Sequence, residues 1–235
     1  MTSIAAILFD CDGVLVDSEV VGLKEGAAFL NSRGFRWTPA DMVRLFNGKR
    51  DDQFREDLLS AYADVLGRAP TESESASLFD GLIATRRAQR DTMTAVPGAV
   101  DLLKLLADQN RVAFAVASSS RQIHLDRKID AFGFRPHVEA RVYSAERVAR
   151  GKPAPDIFLY AAQQLGVDPA GCLVIEDSTY GVEAGVAAGM QVWGFTGGSH
   201  CLEDQGMRLT EAGALRIHSS FSAVQKDLFG VIKEH

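Results

Sequence analysis

Several things are scarce in this sequence. It has no long run of basic residues, and 31 acidic side chains against 25 Lys and Arg leave a formal charge of −6. A nucleic-acid partner held by electrostatics is not expected on that balance, since such binding rests on clustered Lys and Arg. No apolar stretch approaches the roughly 20 residues that cross a bilayer. The N-terminus lacks a basic region ahead of an apolar one, so no membrane span and no secretory signal are expected. The three cysteines, Cys11, Cys172 and Cys201, are odd in number and widely separated. They suit free thiols in a reducing cytoplasm better than a disulfide framework. His124, His137, His200, His218 and His235 show no paired spacing for zinc. Neither Gly48-Lys49-Arg50 nor Gly151-Lys152-Pro153 completes a P-loop, which needs Ser or Thr after the lysine. Internal repeats and low-complexity tracts are absent.

What is there is a chain of 235 residues, 46% apolar, enough for one large core or a core with an insertion. Short β-rich runs recur: IAAILF near the start, VAFAVA at 112–117, CLVIE at 172–176, QVWGF at 191–195 and a weaker ARVYS at 140–144. Segments with helical spacing lie between them, among them AVDLLKLLADQ, RQIHLDRKIDAF, APDIFLYAAQQLG and TYGVEAGVAAGM. Doubly buried strands alternating with helices indicate an α/β fold with a doubly wound, mostly parallel sheet. In PDIFLYAAQQL, Ile157, Tyr160, Ala161 and Gln164 or Leu165 recur at helical steps. Gly181, Gly185 and Gly189 fall four apart and predict close packing of their helix on the sheet. Residues 17–93 break the alternation, being charged, rich in helix formers and without a convincing strand. They read as an all-helical insertion, which divides the chain into a core of 1–16 and 94–235 and a helical unit of 17–93.

The stretch FDCDGVLVDSE, from Phe9 to Glu19, places Asp10 and Asp12 at the end of a segment that reads as the buried heart of the fold. Two like charges there are costly unless a cation or a proton compensates. In an open parallel sheet, ligands bind at the carboxyl ends of the strands. Ser118, Ser119 and Ser120 end VAFAVA; Glu176 and Asp177 end CLVIE, before Ser178; Lys152 precedes a helix. Taken singly, each has a plainer reading: Ser118–Ser120 as a helix cap, Lys152 as a solvated surface lysine, Glu176-Asp177 as a helix start, Cys11 as a small packed side chain. Taken together, the carboxylates suit Mg²⁺, and the lysine and hydroxyls suit a phosphate dianion.

That ordered set, Asp10-x-Asp12-Gly-Val-x-x-Asp17-Ser-Glu, then Ser118, Lys152-Pro and Glu176-Asp177-Ser178, resembles the haloacid dehalogenase superfamily. More narrowly, it looks like the small sugar-phosphate phosphatases and β-phosphoglucomutases with a helical cap after the first strand. The resemblance spans nearly the whole chain and implies a Mg²⁺-dependent phosphoric monoester hydrolase. It implies that Asp10 attacks phosphorus and becomes an aspartyl-phosphate, and that Asp12 protonates the leaving alkoxide and then activates water. It also implies a metal held by Asp10, the backbone carbonyl of Asp12 and Asp177, with Glu176 nearby. Ser118, Ser119 through its N–H, and Lys152 would hold the phosphoryl oxygens, and Gly13 would let the backbone approach them.

The same likeness makes 17–93 a specificity cap whose loop, Arg44 to Asp51, reaches the substrate with Gly48 at its turn. Lys49 and Arg50 could then pair with a second anionic group, or could equally be solvated charges; Arg86, Arg87 and His200 are further candidates. Hinges are expected near Val16–Glu19 and Ala95–Gly98. One departure stands out: β-phosphoglucomutase carries a histidine where Gly22 stands here, which favours hydrolysis of a small phosphorylated metabolite over isomerisation. The motif opening and the basic cap loop are similar to those of phosphatases of acidic sugar phosphates such as 6-phosphogluconate. A phosphosugar mutase, a receiver-type signalling domain and a non-catalytic metabolite-binding protein are the alternatives. The expected assembly is a monomer or small homo-oligomer.

Overall fold

A computed structural model describes residues 4–231. Residues 1–3 and 232–235, which the sequence division assigns to the core, lie outside the described residues, and His235 with them. The chain begins with β1 (Ala6–Phe9) and passes into four helices, α1 (Leu23–Ser32), α2 (Pro39–Phe46), α3 (Asp51–Leu66) and α4 (Glu72–Ala88). There follow α5 (Ala99–Gln109), β2 (Ala113–Ser118), α6 (Gln122–Ala131), the short α7 (Arg135–Val138), β3 (Val142–Ser144) and α8 (Asp156–Leu165). The remainder is β4 (Cys172–Glu176), α9 (Thr179–Ala187), β5 (Gln191–Phe195), α10 (Gln205–Glu211), β6 (Arg216–His218) and α11 (Phe221–Val231).

The six strands form one parallel sheet in the order β3-β2-β1-β4-β5-β6. The chain moves outward from β1 to β3, then crosses back to β4 on the other side. The β1–β4 boundary is therefore the point where winding reverses, and a crevice opens outside the carboxyl ends of such strands. Alternate side chains divide between the two faces. Ile7 and Phe9 join Phe114, Val116, Leu173 and Ile175 in a core beneath α5 and α11. Ala6 and Leu8 join Ala115, Ala117, Val174 and Val192 in a second core beneath α8 and α9. Gly181 and Gly185 pack tightly as expected: a Cβ at 185 would meet Val192 Cγ2 at 2.6 Å. Gly189 instead lies past the end of α9 at φ +75° and touches nothing within 4 Å through such a Cβ. In α8 the buried stripe is Ile157, Phe158, Ala161 and Ala162, one step away from the Tyr160 and Gln164 phase.

All five expected strands form. The sixth, β6, has no apolar signature because it consists of Arg216, Ile217 and His218, and its central Ile217 is 37% exposed.

Between 17 and 93 the described elements are helical, and their starts are written in the chain. Thr38 and Asp41 form a capping box around Pro39, and Thr71 and Glu74 form another at the head of α4. These helices bury Leu30, Phe35, Leu58, Tyr62, Leu78 and Leu82 against one another in a cluster separate from the two sheet cores. The two crossings to the sheet run side by side, with Asp17 N donating to Thr94 O (2.8 Å) and Val96 N to Leu15 O (2.9 Å). Among the described residues, no helix is long and apolar enough to cross a membrane.

Because that helical cluster is separate, Leu58→Ala is expected to cost about 3 kcal/mol locally. Hydrogen exchange should speed up in α1–α4 and leave the amides of β1, β2 and β4 protected. Equal loss of protection in the sheet would contradict an independent helical core.

Candidate active site

The ladder brings the strand ends level. Phe9 sits opposite Val116 and Ile175, so Asp10 and Glu176 emerge side by side at one edge. Lys152 reaches this edge from the loop before α8. Its Nζ lies 2.6 Å from Asp10 Oδ1 and 2.6 Å from Glu176 Oε1, with all three side chains buried. Burial pushes Lys152 down, yet the two carboxylates outweigh it and its pKa rises. Burial pushes Asp10 well up, against Lys152, and the charges of Glu176, Asp177 and Asp12 push the same way. Burial likewise raises Glu176, with Lys152 opposing.

Asp177, the next residue, is oriented by three donors. Its Oδ2 accepts from His200 Nε2 at 2.8 Å and from Asn47 Nδ2 at 3.0 Å, and its backbone oxygen accepts from Gln205 Nε2 at 2.5 Å. Burial works against a charged His200, but its bond to Asp177 lifts the imidazole to about 11. Gly13 is needed here twice over: its φ is +78°, and a Cβ would stand 2.2 Å from Asp177 Oδ2. Glu176 Oε2 accepts from Ser178 N (2.8 Å) and Oγ (3.0 Å), and Ser178 Oγ caps α9 by accepting from Gly181 N.

One carboxylate oxygen each from Asp10, Glu176 and Asp177 lie within 4.8 Å of one another. Three buried carboxylates face only Lys152 and His200 among the described cations, so the cluster is short of positive charge. An all-oxygen donor set in that state fits a hard divalent cation.

The carboxylate of Asp12 stands apart from this triad. Lys128 Nζ and Ser18 Oγ bond its Oδ1, while Ser120 Oγ (2.7 Å) and Ser118 Oγ (3.2 Å) donate to Oδ2. Burial raises Asp12, but the charge of Lys128 and these hydrogen bonds outweigh it and hold the group far below the usual carboxylate range. Ser118 is thus turned to Asp12, and Ser119 Oγ donates to the backbone of the helical unit at Gly48 O (3.1 Å).

The basic side chains of the 44–51 loop already have acidic partners. Lys49 Nζ is 2.5 Å from Asp57 and 5.1 Å from the centroid of the Tyr180 ring. Arg50 pairs with Asp52 at 2.5 Å and lies over Gly151. Arg86 and Arg87 are exposed in the last turn of α4. His200 contacts Asp177. At Gly22 a Cβ would stand 2.9 Å from Arg86 Cα, so the approach of α4 to α1 leaves no room for a side chain where the mutase has histidine.

Lys128 and Gln205 escape sequence reasoning, while Ser120, Ser18 and Asn47 lie in stretches it singles out without a role at Asp12 or Asp177. Lys128 falls one turn or more inside α6 among other charged residues, and only the fold brings it under Asp12. Removing it strands a part-buried carboxylate. Lys128→Met is expected to lower stability by about 3 kcal/mol in urea unfolding, with Lys128→Arg recovering part of the loss. An unchanged midpoint would mean that the pair contributes no net stability.

The sequence matches the haloacid dehalogenase-like hydrolase family over residues 4–189. It is 32% identical over 188 residues to a bifunctional riboflavin kinase/FMN phosphatase of Arabidopsis thaliana, covering 80% of this chain but only 47% of that protein. It is 25% identical over 204 residues to the 6-phosphogluconate phosphatase of Escherichia coli (strain K12), covering 85% and 86% of the two chains. Among solved structures, a HAD family hydrolase of Deinococcus radiodurans R1 with bound phosphate and sodium superposes with a TM-score of 0.78 at 32% identity. That alignment covers 98% of this chain and 97% of the other. The family match takes in the strands that carry Asp10, Ser118 and Glu176 together with the helices inserted between them, and the chain belongs to the haloacid dehalogenase-like hydrolases.

Proposed function

We propose that this hydrolase is a Mg²⁺-dependent phosphatase of small phosphate monoesters that works through an aspartyl-phosphate on Asp10. The observation that carries the reading is the buried cluster of Asp10, Lys152, Glu176 and Asp177, short of one cation, with Asp12 two residues from Asp10. Asp10 Oδ attacks phosphorus, the bond from phosphorus to the ester oxygen breaks, and Asp12 supplies the proton that the departing alkoxide takes. Water activated by Asp12 then attacks the acyl phosphate, releasing inorganic phosphate and restoring Asp10. Lys152, already 2.6 Å from Asp10, neutralises the transferred phosphoryl oxygens. Asp10, Asp177 and the Asp12 carbonyl, with Glu176 nearby, would hold Mg²⁺, which would supply the positive charge that lets an anionic nucleophile meet an anionic phosphate. Asp12 must leave Lys128 and the serines to act as an acid, so its present position is a resting one.

Residues 17–93 are proposed as the cap that reads the leaving group, hinged at 16–19 and 95–98. A cavity of about 390 Å³ lies between them and the loop after β5, lined by polar Lys24, Glu25, Gln89, Thr92, Ser199 and His200 together with apolar Val20, Leu23, Ala40, Val43 and Leu202. These polar side chains suit a hydroxylated leaving group such as a sugar or sugar acid, in line with the 6-phosphogluconate phosphatase relative. The lack of space at Gly22 favours hydrolysis over isomerisation. All three thiols are free, as suits a reducing cytoplasm.

Phosphate release from a panel of sugar, polyol and sugar-acid phosphates tests the reading. Release should require Mg²⁺, stop with EDTA, and fall more than about a thousandfold in Asp10→Asn. Release by Asp10→Asn near the wild-type rate would sink the covalent mechanism. Mg²⁺ should also raise the melting temperature of the wild type by mass action. Asp177→Asn should lose most of that rise; a rise of the same size would remove Asp177 from the metal site.

A further inference from the structure

The loop Asn47-Gly48-Lys49-Arg50 between α2 and α3 is seated on the sheet edge by contacts to several separate parts of the core. Ser119, after β2, donates to Gly48 O at 3.1 Å. Tyr180, on α9, lies beneath the Lys49 ammonium. Gly151, before α8, lies so close under Arg50 that a Cβ there would meet Arg50 Cδ at 2.3 Å. Gly48 has φ +82°, and a Cβ on it would stand 2.3 Å from Ser178 Oγ, so the loop fits only without a side chain at that turn. Asn47 differs from its neighbours in one respect. The residue is 8% exposed, and its amide donates to Asp177 Oδ2, a member of the carboxylate triad, at 3.0 Å.

Asp177 Oδ2 thus takes two donors, one from the core (His200) and one from the cap (Asn47), and Oδ1 is the oxygen left for a cation. Groups that orient a metal ligand from outside raise its affinity. A donor that arrives only when the cap loop is seated makes that gain conditional on seating. We propose that Asn47 couples cap seating to cation binding: the seated loop fixes Asp177 for the cation, and the bound cation in turn holds the loop seated. The two effects are equal in free energy, because coupling between two equilibria is reciprocal. The consequence is order within turnover. An open cap, admitting substrate or releasing product, holds the cation less tightly than a closed one, so the charged site is completed when water is shut out. Asn47 is a positioning residue, acting through Asp177. The inference rests on the reading of Asp177 as a cation ligand.

The test is calorimetric titration of the full chain with Mg²⁺ alone, alongside hydrogen exchange of residues 44–52 with and without Mg²⁺. In the wild type, Mg²⁺ should slow exchange of the loop. Asn47→Ala should bind Mg²⁺ about tenfold more weakly and lose that slowing, while remaining folded by circular dichroism in EDTA. Ser119→Ala removes a seating contact that does not touch Asp177. It should weaken Mg²⁺ binding less, and Mg²⁺ should still slow exchange of its loop. This contrast separates coupling from simple docking. If Asn47→Ala binds Mg²⁺ as tightly as the wild type, or keeps the Mg²⁺-dependent slowing, the coupling is refuted while the phosphatase reading stands. If the wild type binds no Mg²⁺, both fall together.

Discussion

One ammonium holds the centre of this molecule together. Lys152 lies 2.6 Å from Asp10 and 2.6 Å from Glu176, and all three groups are nearly sealed from water. The two carboxylates end neighbouring strands of a parallel sheet, so the backbone ladder itself forces them side by side. Without a counter-charge that edge would carry several kcal/mol of uncompensated burial. With Lys152 alone it remains unbalanced, because Asp177 adds a third acid. The site is therefore built to take up positive charge, and the fold tolerates this because the hydrophobic layers on both faces of the sheet hold the strand ends in place.

Around that centre, each remaining acid is restrained by residues from distant parts of the chain. Asp12 is held by Lys128 from α6 and by serines 18, 118 and 120. Asp177 is held by His200 and Gln205 from beyond β5, and by Asn47 from the inserted helices. The two restraints differ in kind. Lys128 meets the charge of Asp12 with a charge of its own. Asn47 adds a neutral donor to Asp177 and so completes its hydrogen bonding without balancing its charge. Both belong to a state in which the inserted helices sit down on the sheet edge.

The basic side chains of the 44–51 loop show how the same residues can serve a different purpose from the one their charge suggests. Lys49 and Arg50 read equally as anion binders or as solvated charges; here Asp57 and Asp52 pair with them locally, the Lys49 ammonium lies over Tyr180, and the Arg50 stem lies over Gly151. Their first role in this structure is adhesion between the two parts of the molecule. The hydroxyl of Ser118, expected at a phosphoryl oxygen, donates to Asp12 here.

The amino-acid order carries the alternation of doubly buried strands and helices, five of the six strands and the helical insertion, because apolar runs and charged, helix-forming stretches are local signals. Asp10, Asp12, Lys152, Glu176 and Asp177 stand out only as an ordered set, through its resemblance to a family, since each alone has a plainer reading. The sixth strand is not legible, because Arg216, half-exposed Ile217 and His218 make no buried apolar run, whereas β3, equally short at the opposite edge, is buried throughout. The partners that orient the acids were settled only by the tertiary structure. Lys128 is 116 residues from Asp12, and Asn47 is 130 from Asp177. A lysine on a charged helix and an asparagine in a loop look like solvent-facing residues until packing removes the water. The reason is physical: local order fixes which way a backbone runs, but a polar side chain acquires its role from whichever group the folded chain leaves beside it.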